Sequence, residues 1–206
     1  MGNDALNINA GGDRVVVIGG GVIGLCIAYY ALRSGKQVVV LEREADGGDN
    51  CSEKNAGMVV PSHFVPLAAP GMIALGLRWM LNPESPFSFS LRPGLIRWAY
   101  LFWQHARRSH VDACRGLLSE LNLKSRELFV GLSAEFDYGL VKRGLLMLCE
   151  EHKTLESEAR HAESARELGL DVEVCNARRL TEIDPDIEMA VAGGVWFKED
   201  CHMDPG

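Results

Sequence analysis

The first strongly patterned stretch is VVVIGGGVIGLCIAYYAL, an uncharged run from Val15 to Leu32. Its length approaches the roughly 20 apolar residues that cross a bilayer, but its interior is wrong for a spanning helix. Gly19, Gly20, Gly21 and Gly24 fall inside six positions, and each glycine weakens a helix by about 1 kcal/mol relative to alanine. Val15 to Ile18 form a β-branched run, as in a buried parallel strand. Leu25, Ala28, Tyr29 and Leu32 then recur at helical spacing, and Gly35 supplies a C-terminal stop. A second apolar run, Gln37 to Leu41, ends at Glu42. The pattern predicts a strand, a helix and a second strand rather than a membrane span.

Farther along, the large apolar residues between 64 and 105 are interrupted by Pro66, Pro70, Gly71 and Arg78. They predict helices beginning near Gly71 and Pro93, with a proline-rich turn from Asn82 to Pro86 between them. An amphipathic helix is expected from Leu117, carrying Leu118, Leu121 and Leu128 and leading to Phe136. GLVKRGLLMLCEE reads as strand, turn at Lys142-Arg143-Gly144, and strand. Glu150 to Leu168 reads as a charged surface helix closed by Gly169, followed by strands at Val172–Cys175 and Val191–Phe197. The expected organisation is a loose arm over 1–13, a βαβ unit with its following loop over 14–62, a helical segment over 63–130, and the start of a mixed-sheet domain over 131–206.

The glycine spacing carries the chemistry. In Gly19-x-Gly21-x-x-Gly24, the first glycine allows a tight turn off the strand and the second lets the backbone approach a pyrophosphate. Gly24 lets helix and sheet pack closely. The first helical amides then face the phosphate, where the helix dipole favours negative charge. Glu42 ends the second strand, where an acid accepts hydrogen bonds from an adenosine ribose. A dinucleotide is therefore the expected ligand, and the turn by itself leaves both NAD and FAD open.

The rest of the composition narrows the choice. A net charge of -7 gives nucleic-acid binding no support. Cys26, Cys51, Cys114, Cys149, Cys175 and Cys201 contain no Cys-x-x-Cys pair, so neither a zinc site nor a disulfide framework is expected. Reduced thiols point to a cytoplasmic setting. His152 and His161 fall on the charged helix and carry no catalytic expectation, and the adjacent Cys201-His202 pair lacks the partners a metal needs. Asp46 to Asn50 read as a flexible approach to CSEKNAGMVVP, in which Ser52 can cap a short helix. In the same loop Asn55, Ala56 and Gly57 allow a ligand close to the chain.

The glycine turn, LERE at Leu41 to Glu44, CSEKNAGMVVPS, PLAAPGM, the segment RWMLNPESPFSFSLRPGLIRWAYLFW and the final EDCHMDPG together resemble the amino-terminal half of D-amino-acid dehydrogenases. These belong to the D-amino-acid oxidase family of FAD-dependent oxidoreductases. The resemblance covers nearly the whole chain, and its Ser-x-x-Asn-Ala-Gly loop is more specific than the glycine turn.

It implies a Rossmann-like FAD-binding βαβ unit with a helical insertion and the start of a mixed-sheet substrate domain, as part of a two-domain α/β flavoprotein. By position, Gly19, Gly20, Gly21, Val22, Ile23 and Gly24 would hold the pyrophosphate. Glu42 would bind the ribose and Arg43 would lie along the adenosine. Ser52, Asn55, Ala56, Gly57 and Met58 would approach the phosphates and isoalloxazine. The implied activity is oxidation of the amine of a D-amino acid or related amino or imino acid, with a quinone chain or oxygen as electron acceptor. No catalytic side chain is named.

Two other readings stay open: an NAD-dependent dehydrogenase, and a non-enzymatic fragment or subunit needing a partner chain. The tryptophans with Arg92, Arg97, Arg107 and Arg108 also allow a peripheral contact with the inner face of a membrane. Asp204 and Pro205 read as the N-cap and first position of a further helix, and one βαβ unit does not complete a doubly wound sheet. The expectation is a fragment, with the substrate-gripping residues of the resembling enzymes lying beyond Gly206.

Overall fold

Strand β1 (Arg14–Ile18) and strand β2 (Gln37–Leu41) run parallel, with Arg14 opposite Gln37 and Ile18 opposite Leu41. Helix α1 (Val22–Arg33) connects them. The computed structural model describes residues 13–44, 51–80 and 93–205. The arm before Asp13, the approach Asp46 to Asn50, the turn Asn82 to Pro86 and Arg92 lie outside the described residues. Helix α1 stops where the sequence predicts, because Gly35 takes a φ of 77° and its amide bonds Leu32 O at 2.9 Å. Val17 and Ala28 are the buried apolar side chains of this strand–helix–strand segment.

The chain divides into two compact units, Met1–Gly57 with Asp204–Gly206, and Met58–Met203. In the second, β4 (Leu145–Cys149), β5 (Val172–Asn176) and β6 (Gly193–Phe197) form an antiparallel sheet in the order β4-β6-β5. Helix α5 (His152–Glu167) contributes Ala162 and Ala165 to the core, which also contains Phe64, Leu170, Val172, Val195 and Phe197. Small side chains at 162 and 165 let the helix approach closely. Gly169, at φ 87°, then turns the chain so that Leu170 reaches the core.

A short helix α6 (Ala177–Ile183) follows β5, capped by Asn176 accepting from Arg179 N at 2.9 Å. Two two-residue strands, β3 (Met58–Val59) and β7 (Cys201–His202), pair antiparallel. Helices α2 (Met72–Met80), α3 (Pro93–His105) and α4 (Arg108–Leu132) complete the unit. Among the described residues no helix is long and apolar enough to cross a membrane.

Four expectations are corrected. The hairpin over 139–151 is a single strand: β4 pairs with β6, while Val141 bridges His202. Gly144, at φ 81°, turns the chain away between them, and Trp196 Nε1 donates to Arg143 O at 3.0 Å. Helix α4 begins at Arg108, about two turns before Leu117, because the half-buried Val111 and Cys114 extend its packed face backward. Its inward side carries Leu118, Ser119 and Leu123, while Leu121 and Leu128 are exposed. His161 is not a solvated residue: its ring stacks on Phe64 at 4.9 Å and meets the edge of Phe197. Finally, the segment 51–55 forms turns rather than a helix.

Candidate functional site

The turn between β1 and α1 is built from backbone. Gly19 sits at φ 104°, a conformation that glycine adopts without steric cost, and its amide bonds Leu41 O across the sheet at 2.8 Å. Gly21 is extended and serves as N-cap, its carbonyl accepting from Leu25 N at 2.9 Å. A β-carbon on Gly24 would fall well inside contact distance of the Gly19 carbonyl and lie 3.3 Å from Val17. Gly24 is therefore required by the turn's own packing, before any ligand is considered.

Two side chains close the turn from opposite directions. The Glu42 carboxylate accepts from the amides of Gly20, Arg43 (2.7 Å) and Glu44 (3.1 Å). Those bonds, that of Gly20 first, hold its pKa below the ordinary carboxylate value. Ser52 Oγ accepts from Val22 N at 2.9 Å, so it caps α1 from 30 residues away rather than a helix of its own. An amide at a helix start that readily takes an oxygen acceptor is also what an anionic oxygen would use.

Asn55 organises its own loop. Its Nδ2 donates to Cys51 O at 2.9 Å and to Ser52 O at 2.8 Å, and its Oδ1 accepts from Gly57 N at 2.6 Å. Gly57 adopts φ 61°, which closes that small ring. Ala56 is exposed, and Arg43 extends into solvent, paired with Glu44 at 2.9 Å.

A cavity of about 640 Å³ runs along β1 and the start of α1 to the Cys51–Asn55 loop. It brings together Gly19, Gly21, Val22, Ile23, Gly24, Ser52 and Asn55. Gly20, Glu42, Arg43, Ala56 and Gly57 are not part of its lining, and Met58 belongs to the second unit, opposite His202. The donor set suits a phosphate: glycines without β-carbons beside helix-start amides. Glu42, with three of its acceptor positions used, keeps room for a ribose hydroxyl.

Elsewhere the chemistry is quiet. Among the described residues no group of three or more His, Cys, Asp or Glu is placed to hold a metal ion. Burial pushes the thiols of Cys26, Cys149 and Cys175 up, which disfavours thiolates. One arrangement escaped the sequence reading. Asp200, 1% exposed, accepts from Ser62 Oγ at 2.6 Å and from Ser62 N at 3.1 Å. The partners are 138 residues apart, so no local spacing signals the pair.

Residues 14–206 match the family described as DAO, FAD dependent oxidoreductase. The chain is 28% identical over 194 residues to a D-amino acid dehydrogenase of Vibrio cholerae serotype O1, covering 91% of this chain and 46% of that protein. It is similar in structure to glycine oxidase from Geobacillus kaustophilus, with a TM-score of 0.61 and 23% identity, over 94% of this chain and 41% of that one. L-alpha-glycerophosphate oxidase from Mycoplasma pneumoniae, solved with FAD bound, gives a TM-score of 0.58 and 13% identity over 94% and 39% of the two chains. At these identities the structural likeness speaks for the fold. The chain spans about half the length of the curated relatives it matches.

Proposed function

The chain belongs to the family of FAD-dependent oxidoreductases, and from that premise we propose that it supplies the cofactor-holding part of an enzyme that oxidises the amine of a D-amino acid or a related amino or imino acid. The observation that carries this reading is the glycine turn, closed on one side by Glu42 and on the other by Ser52. The likeness to a D-amino acid dehydrogenase supports the substrate class.

In this reading Gly19 to Gly24 hold the pyrophosphate through backbone amides, with the start of α1 supplying a favourable dipole. Glu42 binds the adenosine ribose and Arg43 lies along the adenosine. Ser52 bonds a phosphate oxygen while it caps α1. Asn55 keeps the loop folded so that Ala56, Gly57 and Met58 would approach the phosphates and isoalloxazine of bound FAD. FAD, when bound, supplies the hydride acceptor at N5 for the substrate α-carbon. The imine left behind takes up water and gives a keto acid and ammonia. The chain's own contribution is binding and orientation, and none of its side chains is assigned as general base. The electron acceptor is a quinone chain or oxygen. With a quinone acceptor, the exposed Trp98 and Trp103 of α3 provide a peripheral contact with the membrane's inner face.

Anaerobic mixing of the purified flavoprotein with paired D- and L-amino acids tests the reading. Bleaching of the flavin absorbance by D-enantiomers, with release of ammonia, is the expected result. Bleaching by L-enantiomers alone, or by none of the amino acids, would overturn the substrate assignment.

A further inference from the structure

Asp200 stands just before β7 and is almost completely buried. Both its oxygens are taken by one residue, Ser62, through the hydroxyl at 2.6 Å and the amide at 3.1 Å. Ser62 is itself buried, as are Pro61 and Val59 before it. The same segment begins with β3, in which Met58 pairs with His202 and Val59 with Cys201. A two-residue ladder is too short to hold a strand in register by itself. The carboxyl of Asp200 adds a second attachment four residues further along the same segment.

Among the described residues the carboxyl's partners are this one hydroxyl and one amide, a costly way to fill space, so its specific geometry matters more than its volume. The two attachments together restrain the backbone from Met58 to Ser62.

We infer that Asp200 is a positioning residue for the segment that carries Met58, acting through Ser62 and β3 to fix its placement. The inference rests on the proposed reading in which Met58 approaches the isoalloxazine. It assigns Asp200 no contact with substrate or cofactor. Displacing a residue beside a reacting centre by about 1 Å can lower a rate by up to about a hundredfold.

The test compares the purified holoprotein with its Asp200→Ala, Asp200→Asn and Ser62→Ala variants. The readouts are the flavin visible spectrum, amide hydrogen exchange over residues 59–62, and turnover with a D-amino acid. For Asp200→Ala the expected outcome is retained flavin with a shifted visible band and exchange at least about tenfold faster. Its kcat falls at least about tenfold while KM stays within about twofold. Asp200→Asn keeps an acceptor for Ser62 N and a donor toward Ser62 Oγ, so it restores most of the spectrum and rate. If Asp200→Ala does not fold, Ser62→Ala decides the matter, because the Ser62 amide still bonds Asp200. An unchanged spectrum and unchanged exchange in that variant overturn the inference. A wild-type protein without flavin would instead sink the functional reading, and the exchange measurement would still decide whether Asp200 fixes the segment.

Discussion

Gly21 and Gly24 belong to one motif but do different work, and their surroundings separate them. A β-carbon on Gly24 collides with the Gly19 carbonyl, which is backbone and cannot move without opening the turn. On Gly21 it meets only Ser52 Oγ, at 3.0 Å, and Gly21 has a φ of -71° that any residue adopts. Gly24→Ala is therefore expected to unfold the strand–turn–helix and lose the cofactor together, seen as faster proteolysis of that region and colourless protein. Gly21→Ala should keep the fold and weaken retention, and Gly21→Val should abolish retention by occupying the space of the pyrophosphate. A folded Gly21→Val protein with stoichiometric flavin would mean the phosphate lies elsewhere.

Glu42 makes a pH-dependent contribution whose sign follows from its bonds. The amides of Gly20, Glu44 and Arg43 lower its pKa in the folded protein. Its stabilisation of the turn is thus complete above the ordinary carboxylate value of about 4.3 and lost as pH falls through the lower folded value. Acid should release flavin in that window, followed as a rise in free-flavin fluorescence. Glu42→Gln should weaken retention at neutral pH by roughly tenfold and remove this component of the acid dependence.

Glycines also mark how the elements join. Gly144 precedes β4 at φ 81°, and an added β-carbon would strike Trp196 Nε1 and lie 2.7 Å from Phe197 O. Gly169 has a similar φ of 87° but nothing within 4 Å. Gly169→Ala should cost only the backbone strain, about 1–2 kcal/mol, whereas Gly144→Ala adds overpacking and should cost roughly 2–5 kcal/mol. Urea denaturation of the two variants measures the difference, and equal losses would contradict the packing argument.

The same contrast explains what could be read beforehand. The strand, turn, helix and strand from Arg14 to Leu41 are specified by neighbouring residues, and so were legible. The partner of Leu145 is Phe197 and that of Met58 is His202, so pairing there is chosen by residues far along the chain. The run from Gly139 to Glu151 reads as a hairpin turning at Lys142-Arg143-Gly144 for that reason. The contact between Asp200 and Ser62 was illegible on the same grounds. That Asn55 folds the loop and Ser52 caps a distant helix needed coordinates.

At the scale of the whole molecule, the first unit leaves much apolar surface uncovered. Ile18 is 86% exposed and Ile23 is 75% exposed, on a parallel strand and the helix that follows it. Parallel sheets are normally covered on both faces, and exposed strand edges invite aggregation. Expressed as these 206 residues alone, the chain is expected to bind an apolar fluorescent dye strongly and to scatter light on concentration. A monodisperse, dye-negative solution would contradict that expectation.

The turn from Gly19 to Gly24 is proposed to serve a flavin dinucleotide. Denaturing the purified protein and chromatographing the nucleotide it releases tests this. The expected result is FAD in about one equivalent, falling to background in Gly21→Val. Recovery of NAD with no flavin, or FAD undiminished in the variant, would contradict it.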